Sequence, residues 1–222
     1  MKKLIQNFYN KINSFIDIKI VILVLFGLHI FVISFPLNST VFDEAYYVPA
    51  ARDILNLEAS NPEHPFLGKA WIASGIYLFG DNWFGWRIIS TIFSILSLTV
   101  FYFISKRFLS KNLAIYATAI LGFEVMFFVH GSLALLEVPS IFFALLSFWL
   151  YFERREKKIL KIPIFYWLST IAMAISFLSK ETAAFYVIII IFIYITTRIK
   201  FTNYNELIPK FYKAILLLIV LA

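Results

Sequence analysis

Long apolar runs alternate with short polar segments along most of the chain. A helix needs about 20 apolar residues to cross a bilayer, and several runs approach that length. The expected spans cover residues 20–35, 83–104, 113–129, 139–152, 162–179 and 182–197, and another apolar run begins at Ala214. Some runs are short, which predicts bent or partly re-entrant helices. The pattern predicts an all-α integral membrane protein, a multi-span helical bundle of about six or seven spans that folds as a single membrane domain over residues 1–222.

A long polar interval at residues 37–81 separates the first two spans and forms the first outer loop of this scheme. Residues 43–57 have helical spacing with one polar face. Pro49 predicts that this helix starts near Val48 or bends there. After a turn-rich break, residues 64–79 resume a second amphipathic pattern. We expect both short helices to lie along the membrane interface.

The composition agrees with a membrane protein. Apolar residues make up 61% of the chain and charged residues 15%, compared with about 45–50% apolar in soluble domains. The absence of cysteine excludes disulfides and thiolate metal sites. The net charge of +7 comes from Lys and Arg in short clusters between apolar runs, which is a topology signal and not a nucleic-acid interface.

The basic clusters fall on one side of the expected membrane. They lie in the N-terminal segment and in the connections at residues 106–111, 154–161 and 198–213. Positively charged loops remain in the cytoplasm. The sequence thus predicts a multi-pass protein of a cell membrane or endoplasmic reticulum type of membrane, with a cytoplasmic N-terminus and an outer or luminal loop at residues 37–81.

Most of the other charged residues, with His64, collect on the predicted outer side. This set comprises Asp43, Glu44, Arg52, Asp53, Glu63, His64, Lys69, Asp81, Arg87, Glu137, Lys180 and Glu181. Solvated loop carboxylates, interfacial anchors and helix caps are the plainer explanations for single members. Glu124 lies inside the third expected span, where a carboxylate is costly unless it is protonated, paired or facing a wet cavity.

This inventory suits glycosyl transfer from a lipid-linked sugar phosphate. A carboxylate can take a proton from an acceptor hydroxyl, and cations can neutralise a phosphate leaving group. Two alternatives remain open. One is a non-catalytic subunit that binds a lipid-linked sugar, and the other is a transporter or proton channel that uses Glu124 and Glu137.

Five short motifs follow one another over about residues 41–184. They are Phe42-Asp43-Glu44, the stretch His64-Pro65-Phe66-Leu67-Gly68-Lys69, the stretch Phe84-Gly85-Trp86-Arg87, Glu124 with Glu137 in a Leu-Leu-Glu setting, and Leu178-Ser179-Lys180-Glu181-Thr182-Ala183. In order and spacing they resemble the dolichyl-phosphate-mannose protein mannosyltransferase (PMT) family of the glycosyltransferase C superfamily. Family members are considerably longer, so we expect the chain to correspond to an N-terminal portion, or to need a partner chain that completes the bundle.

The resemblance implies a role for each matching residue. Asp43 would be the catalytic carboxylate with Glu44 beside it; Arg87, Lys69 and Lys180 would bind the donor phosphate; His64, Glu124 and Glu137 would contact substrate. The implied donor is a sugar, mannose-like, on polyprenyl or dolichyl phosphate in the membrane lipid, and the acceptor is a protein Ser/Thr or lipid hydroxyl. Related lipid-linked sugar transferases have a glutamate at the place of Glu63, and some use a metal there. A divalent ion bound by Glu63 is thus left open, and no other cofactor is expected.

Overall fold

The computed structural model describes residues 17–35, 39–153, 158–159, 162–189 and 191. Contacts divide the chain into two compact units, Met1–Ala184 and Phe185–Ala222. Of the second unit, residues 185–189 and 191 are described, and they are helical. Residues 190 and 192–197 of the expected span at 182–197, the run from Ala214 and residues 1–16 of the basic N-terminal segment lie outside the described residues. A single membrane domain over the whole chain stays a prediction.

The first unit is built from helices, which confirms the all-α class. They are α1 (Ile18–Ser34), α2 (Glu44–Leu55), α3 (Phe66–Phe79), α4 (Trp83–Ser105), α5 (Lys111–Phe123), α6 (Val125–Gly131), α7 (Glu137–Phe152) and α8 (Ile164–Ser179), followed by a 3-10 helix at Glu181–Ala183. One minor exception lies between α7 and α8. There β1 (Lys158–Ile159) pairs antiparallel with β2 (Ile162–Pro163).

Within the described residues, α4 is long and apolar enough to cross a membrane. Helices α5 and α6 are long and apolar enough only when taken together, and they meet at an angle of 67°, which makes them either a broken span or a re-entrant loop. Helices α1, α3, α7 and α8 are apolar but have 17 residues or fewer. The predicted second span therefore corresponds to one continuous helix, whereas the third is interrupted at Glu124. The bundle of six or seven spans stays a prediction.

Helix α2 begins at Glu44, so the expectation that it starts near Val48 was wrong, whereas the alternative, a bend at Pro49, stays a prediction. The Asp43 carbonyl oxygen accepts hydrogen bonds from the N–H groups of Tyr46 at 2.9 Å and Tyr47 at 3.0 Å, which closes the first turn before Pro49 is reached. Pro49 lies inside the helix and lacks the N–H that would bond the preceding turn. Packing of α2 against the bundle offsets this loss.

Helix α4 is the centre of the unit, and it packs against α1, α3, α5, α6 and α7. Two serine pairs join α7 to its antiparallel neighbour α8. Ser176 Oγ donates to the Ser140 carbonyl oxygen at 2.7 Å, and the Ser147 and Ser169 hydroxyls each donate to the other residue's carbonyl, at 2.8 and 2.9 Å. Small hydroxyl residues of this kind allow close approach between membrane helices and supply hydrogen bonds across the contact.

Helix α2 is held against the end of the bundle by a buried apolar cluster. Its members are Tyr47, Val48 and Ala51 from α2, Ile72, Ala73 and Ile76 from α3, and Leu133, Ala134, Leu135 and Leu136 from the connection between α6 and α7. Val48 and Ala51 are fully buried. This packing places the first turn of α2 beside the C-terminal end of α6 and the first turn of α7, where the candidate site lies.

Candidate active site

Asp43 occupies an exposed position immediately before α2. The residue before it, Phe42, has a φ of 52°, in the left-handed region that non-glycine residues rarely adopt. The chain therefore turns sharply at Phe42, and the Asp43 carboxylate emerges at the N-terminus of the helix. Its Oδ2 atom accepts a hydrogen bond from the hydroxyl of Tyr47 at 3.3 Å. The Asp43 carboxylate thus faces solvent and is hydrogen-bonded to Tyr47.

Glu44 is fully buried, and all of its hydrogen-bonding capacity lies inside the protein. Oε1 accepts from Arg87 Nε at 2.7 Å and from the Ala134 N–H at 2.8 Å. Oε2 accepts from Arg87 Nη2 at 2.6 Å and from the Val41 N–H at 3.0 Å. One carboxylate therefore ties α4, the connection after α6 and the segment before Asp43 to one another.

This pairing bears on two predicted roles. Arg87 is 1% exposed and directs its guanidinium at Glu44, so neither side chain faces solvent where a substrate would bind. A buried charge pair of this kind persists only when the geometry satisfies both partners, as it does here. A direct catalytic role for Glu44 and donor-phosphate binding by Arg87 stay predictions. The geometry favours a role for both in holding the Asp43 segment in place.

His64 and Glu181 approach Tyr47, the hydrogen-bond partner of Asp43, from two other segments. His64 Nδ1 lies 2.8 Å from Glu181 Oε1. The His64 ring stands edge-on to the ring of Tyr47, with centroids 5.6 Å apart. Burial raises the pKa of Glu181, but hydrogen bonds from its own backbone N–H and from His64, together with the charges of His64 and Lys180, hold that pKa below its ordinary value. The predicted substrate residue His64 therefore packs against Tyr47, whose hydroxyl bonds to Asp43.

Lys180 and Glu137 form an ion pair between the end of α8 and the first residue of α7. Lys180 is buried, and the second carboxylate oxygen of Glu137 is also buried, with no hydrogen-bond partner among the described residues. Glu137 also lies close enough to Tyr47 to raise the pKa of its phenol, after burial, which is the larger cause. The predicted phosphate ligand Lys180 and substrate residue Glu137 thus adjoin the same group.

Lys69 is buried near the start of α3, and its ammonium group donates to the backbone carbonyl of Asn61. The residue before it is a glycine because α3 and α8 touch there. A Cβ on Gly68 would lie 2.2 Å from the carbonyl oxygen of Ser179, the residue before Lys180. The two predicted phosphate ligands, Lys69 and Lys180, are therefore carried by segments in direct contact.

Glu63 is exposed and contacts its neighbour Asn61, whose side-chain amide donates to Glu63 Oε2 at 3.3 Å. Among the residues that the structure describes, no three His, Cys, Asp or Glu side chains converge in a way that could hold a metal ion. Glu63 as a metal ligand stays a prediction, without a preformed ligand set to support it.

Glu124 is exposed at the break between α5 and α6, and it caps α6. Its two carboxylate oxygens accept from the N–H groups of Met126 at 3.1 Å and Phe127 at 2.7 Å. The residue also lines a largely apolar cavity of about 240 Å³, together with His130. The cap explains how a span accommodates this carboxylate. Its hydrogen bonds go to its own helix and not to the group around Asp43.

Tyr47 is the member of the group that the sequence analysis missed. It is 4% exposed, and it touches Asp43, His64 and the apolar cluster under α2. A signal was present, because Tyr47 follows Asp43 by four residues, the spacing at which two residues share one face of a helix. The chain contains 12 tyrosines, so the residue type alone did not single out Tyr47.

Comparison with known proteins agrees with the motifs. The model of the dolichyl-phosphate-mannose-protein mannosyltransferase family matches residues 63–222, well over half of the chain. The chain belongs to this family. The match includes His64, Lys69, Arg87, Glu124, Glu137 and Lys180, whereas Asp43 and Glu44 precede it. The resemblance derived from the five motifs is thus confirmed at the level of the family.

Curated relatives share about a third of the aligned residues. The polyprenol-phosphate-mannose–protein mannosyltransferases of Mycolicibacterium smegmatis and Mycobacterium tuberculosis are each 32% identical, over 50% of this chain and 23% of theirs. The protein of the same name from Corynebacterium glutamicum is 30% identical, over 50% of this chain and 24% of its own. The alignments therefore cover less than a quarter of each relative. No solved structure matches the chain significantly.

Proposed function

We propose that this protein transfers a mannose-like sugar from a polyprenyl- or dolichyl-phosphate donor to a hydroxyl acceptor, a protein Ser/Thr or a lipid, with Asp43 as the catalytic carboxylate. The names of the mycobacterial and corynebacterial relatives support this donor and a protein acceptor. The observation that carries the proposal is the grouping of an exposed Asp43 with His64, Glu137 and Lys180 around one buried tyrosine.

Asp43 acts as a general base. It takes the proton of the acceptor hydroxyl while the acceptor oxygen forms a bond to the anomeric carbon of the sugar. The bond from that carbon to the phosphate oxygen breaks, and polyprenyl phosphate leaves with the electron pair. A positioned general base of this kind accelerates a reaction by about 10²- to 10⁴-fold.

Lys69 and Lys180 bind the donor phosphate. In the structure each ammonium group contacts an oxygen of the protein, the Asn61 carbonyl for Lys69 and the Glu137 carboxylate for Lys180. At Lys69 a phosphate can replace the neutral carbonyl, since charge-assisted hydrogen bonds to an anion are stronger than those to a carbonyl. The ammonium group of Lys180 has three N–H donors, so it can bind the phosphate while it keeps the Glu137 carboxylate. The charges of both lysines then stabilise the leaving phosphate as its bond to the sugar breaks.

His64 and Glu137 contact the sugar or the acceptor beside Asp43, while Glu44 and Arg87 hold the segment that carries it. We assign Glu124 no step, because its carboxylate caps α6. The absence of a converging ligand set among the described residues gives no basis for a step through a divalent ion.

The proposed reaction takes place on the outer or luminal face of a multi-pass membrane protein whose N-terminus is cytoplasmic. Helices α2 and α3 lie along that interface, so the donor's polyprenyl tail stays in the bilayer while its sugar phosphate reaches Asp43. The aligned relatives are much longer. The remaining spans of a longer chain, or a partner chain, complete the donor groove.

The decisive test is Asp43→Asn, which removes the base and keeps the size of the side chain. We expect transfer from radiolabelled mannosyl polyprenyl phosphate to fall by at least about 100-fold, with donor binding retained. Asp53→Asn, on the same helix and outside the site, is the matched control. Undiminished transfer by Asp43→Asn would overturn the role of Asp43.

The same assay separates the alternatives. Donor binding without any transfer, by the chain alone and in native membranes, would favour the non-catalytic lipid-linked-sugar-binding subunit. A transporter or proton channel would instead need Glu124 or Glu137 for flux in proteoliposomes. The helix cap formed by Glu124 and the ion pair of Glu137 account for these two carboxylates without a transport role.

A further inference from the structure

Tyr47 lies where three carboxylates approach one buried phenol. Its ring is 4% exposed and belongs to the apolar cluster under α2. Its hydroxyl donates to Asp43 Oδ2 at 3.3 Å, and Glu137 and Glu181 lie near enough to act on it electrostatically. The proposed reaction gives this tyrosine no task, although it is the residue that connects Asp43 to the rest of the site.

The surroundings keep the Tyr47 hydroxyl protonated. Burial raises the pKa of the phenol, and the negative charges of Glu137, Asp43 and Glu181 raise it further, as does the hydrogen bond to Asp43. A phenol in this state donates its proton in a hydrogen bond and does not act as a base. Burial and the acidic neighbours thus keep the Tyr47 hydroxyl a hydrogen-bond donor.

The Tyr47 side chain is also fixed in place. The backbone N–H of Tyr47 is bonded to the Asp43 carbonyl oxygen at 3.0 Å, so both ends of the contact belong to one helical turn. His64, which Glu181 holds at 2.8 Å, packs edge-on against the Tyr47 ring from the other side. Asp43 itself is exposed, so without this hydrogen bond its carboxylate would be free to rotate.

We propose that Tyr47 is a positioning residue, which through its O–H···Oδ2 hydrogen bond holds the Asp43 carboxylate in the orientation that accepts the proton of the acceptor hydroxyl. This inference rests on the proposed function of Asp43. One carboxylate oxygen is occupied by Tyr47, and the other remains for the acceptor. Positioning of this kind accelerates the chemical step and contributes little to donor binding, which depends on Lys69 and Lys180.

The kinetic test compares Tyr47→Phe with Tyr46→Phe in the full chain. Both changes remove one hydroxyl and keep the aromatic ring, so Tyr47→Phe preserves the packing under α2. Tyr46 is 63% exposed and serves as the control. With mannosyl polyprenyl phosphate as donor, Tyr47→Phe should lower kcat about tenfold, as expected for one hydrogen bond to a charged group, and leave KM for the donor unchanged. Tyr46→Phe should match the wild type. Equal kcat in both variants would overturn the proposal.

A second measurement does not depend on turnover. A water-soluble carbodiimide with an amine labels accessible carboxyl groups, and mass spectrometry can follow Asp43 and Asp53 in the same sample. Because the Tyr47 hydroxyl occupies one oxygen of the Asp43 carboxylate, Tyr47→Phe should free that oxygen for the reagent and increase the rate of Asp43 labelling at least about twofold, with Asp53 unchanged. Unchanged Asp43 labelling would overturn the proposal even if kcat fell. A wild-type chain that transfers no sugar, alone and in native membranes, would contradict the proposed function, and the labelling would still show whether the Tyr47 hydroxyl holds the Asp43 carboxylate.

Discussion

Two arginine–carboxylate pairs fasten the two ends of α2 to the start of α4, and they differ in burial. In the first turn, Glu44 pairs with Arg87, and the side chains are 0% and 1% exposed. In the last turn, Arg52 donates two hydrogen bonds to Asp81, at 2.8 and 3.0 Å, and these side chains are 41% and 46% exposed. The local geometry is similar in both pairs, whereas the surroundings are not.

Burial makes the first pair far more consequential. Removing two charges from water is costly, and Glu44 recovers that cost through four hydrogen bonds, two of them to backbone N–H groups. An exposed pair recovers little, because water and salt screen it. The end of α2 that carries Asp43 is therefore fixed, while the other end is held weakly. We infer that the site depends on the order of this first turn.

The largest effect is expected from Arg87→Met, which leaves the Glu44 charge buried without its partner. Loss of one partner of a buried pair destabilises a protein by about 3–5 kcal/mol. The free energy of unfolding in detergent micelles, followed by tryptophan fluorescence, measures the change. Arg52→Met is the matched control and should cost about 1 kcal/mol or less. Equal losses in the two variants would refute the contrast between the pairs.

A double variant sharpens this result. Glu44→Gln removes the charge but keeps an oxygen that can accept from the N–H of Ala134. Combined with Arg87→Met, it should therefore be more stable than Arg87→Met alone, with a coupling energy of about 1–3 kcal/mol between the two positions. The same unfolding measurement on the two single variants completes the cycle. If the losses of unfolding free energy were strictly additive, Arg87 would not stabilise the protein by neutralising the Glu44 charge.

The sequence predicts which residues share a membrane face, but not how they pair. Loop charge placed Glu44, Arg52, Asp81 and Arg87 on one side, and any carboxylate there could have met either arginine. The partners lie 43 and 29 residues apart, and their pairing depends on the packing of α2 against α3 and α4. The family resemblance assigned a role to each residue that matches a family motif. It could not indicate that Arg87 is buried, because burial depends on the neighbours in space.

Glu124 illustrates the same limit within one span. The energetic cost of this carboxylate inside an apolar run was predictable, and protonation, pairing or a wet cavity was expected to offset it. The structure ends α5 at Phe123 instead and uses the carboxylate to cap α6, after a bend of 67°. The apolar run predicted one span at 113–129, because residues 125–129 continue that run beyond the break. The break needs only local hydrogen bonds, which a hydropathy pattern does not register.

The smallest effect is expected at the exposed pair, in Asp81→Asn. At neutral pH the variant should lose about 1 kcal/mol or less, and the loss should shrink as salt is added. Trp86 accounts for part of the interaction that remains in the variant. Its indole N–H donates to Asp81 Oδ1 at 2.7 Å, and its ring centroid lies 5.3 Å from the Arg52 guanidinium carbon. A neutral asparagine can still accept from this indole. Unfolding measurements at low and high salt test the prediction, and a salt-independent loss would contradict it.

Acidification distinguishes a charge effect from a packing effect at Asp81. The hydrogen bond from Arg52 is the main cause that holds the pKa of Asp81 below its ordinary value of 3.8; burial opposes it, and Trp86 and the Arg52 charge add to the lowering. A carboxyl group with a lowered folded-state pKa stabilises the protein above the unfolded-state pKa, and this stabilisation is lost as the pH falls through the folded value. The difference in stability between the wild type and Asp81→Asn should therefore be constant from neutral pH down to about pH 4 and should shrink below it. A difference that persists in strong acid would mean that Asp81 acts through its shape, and the two ends of α2 would then differ in more than the screening of charge.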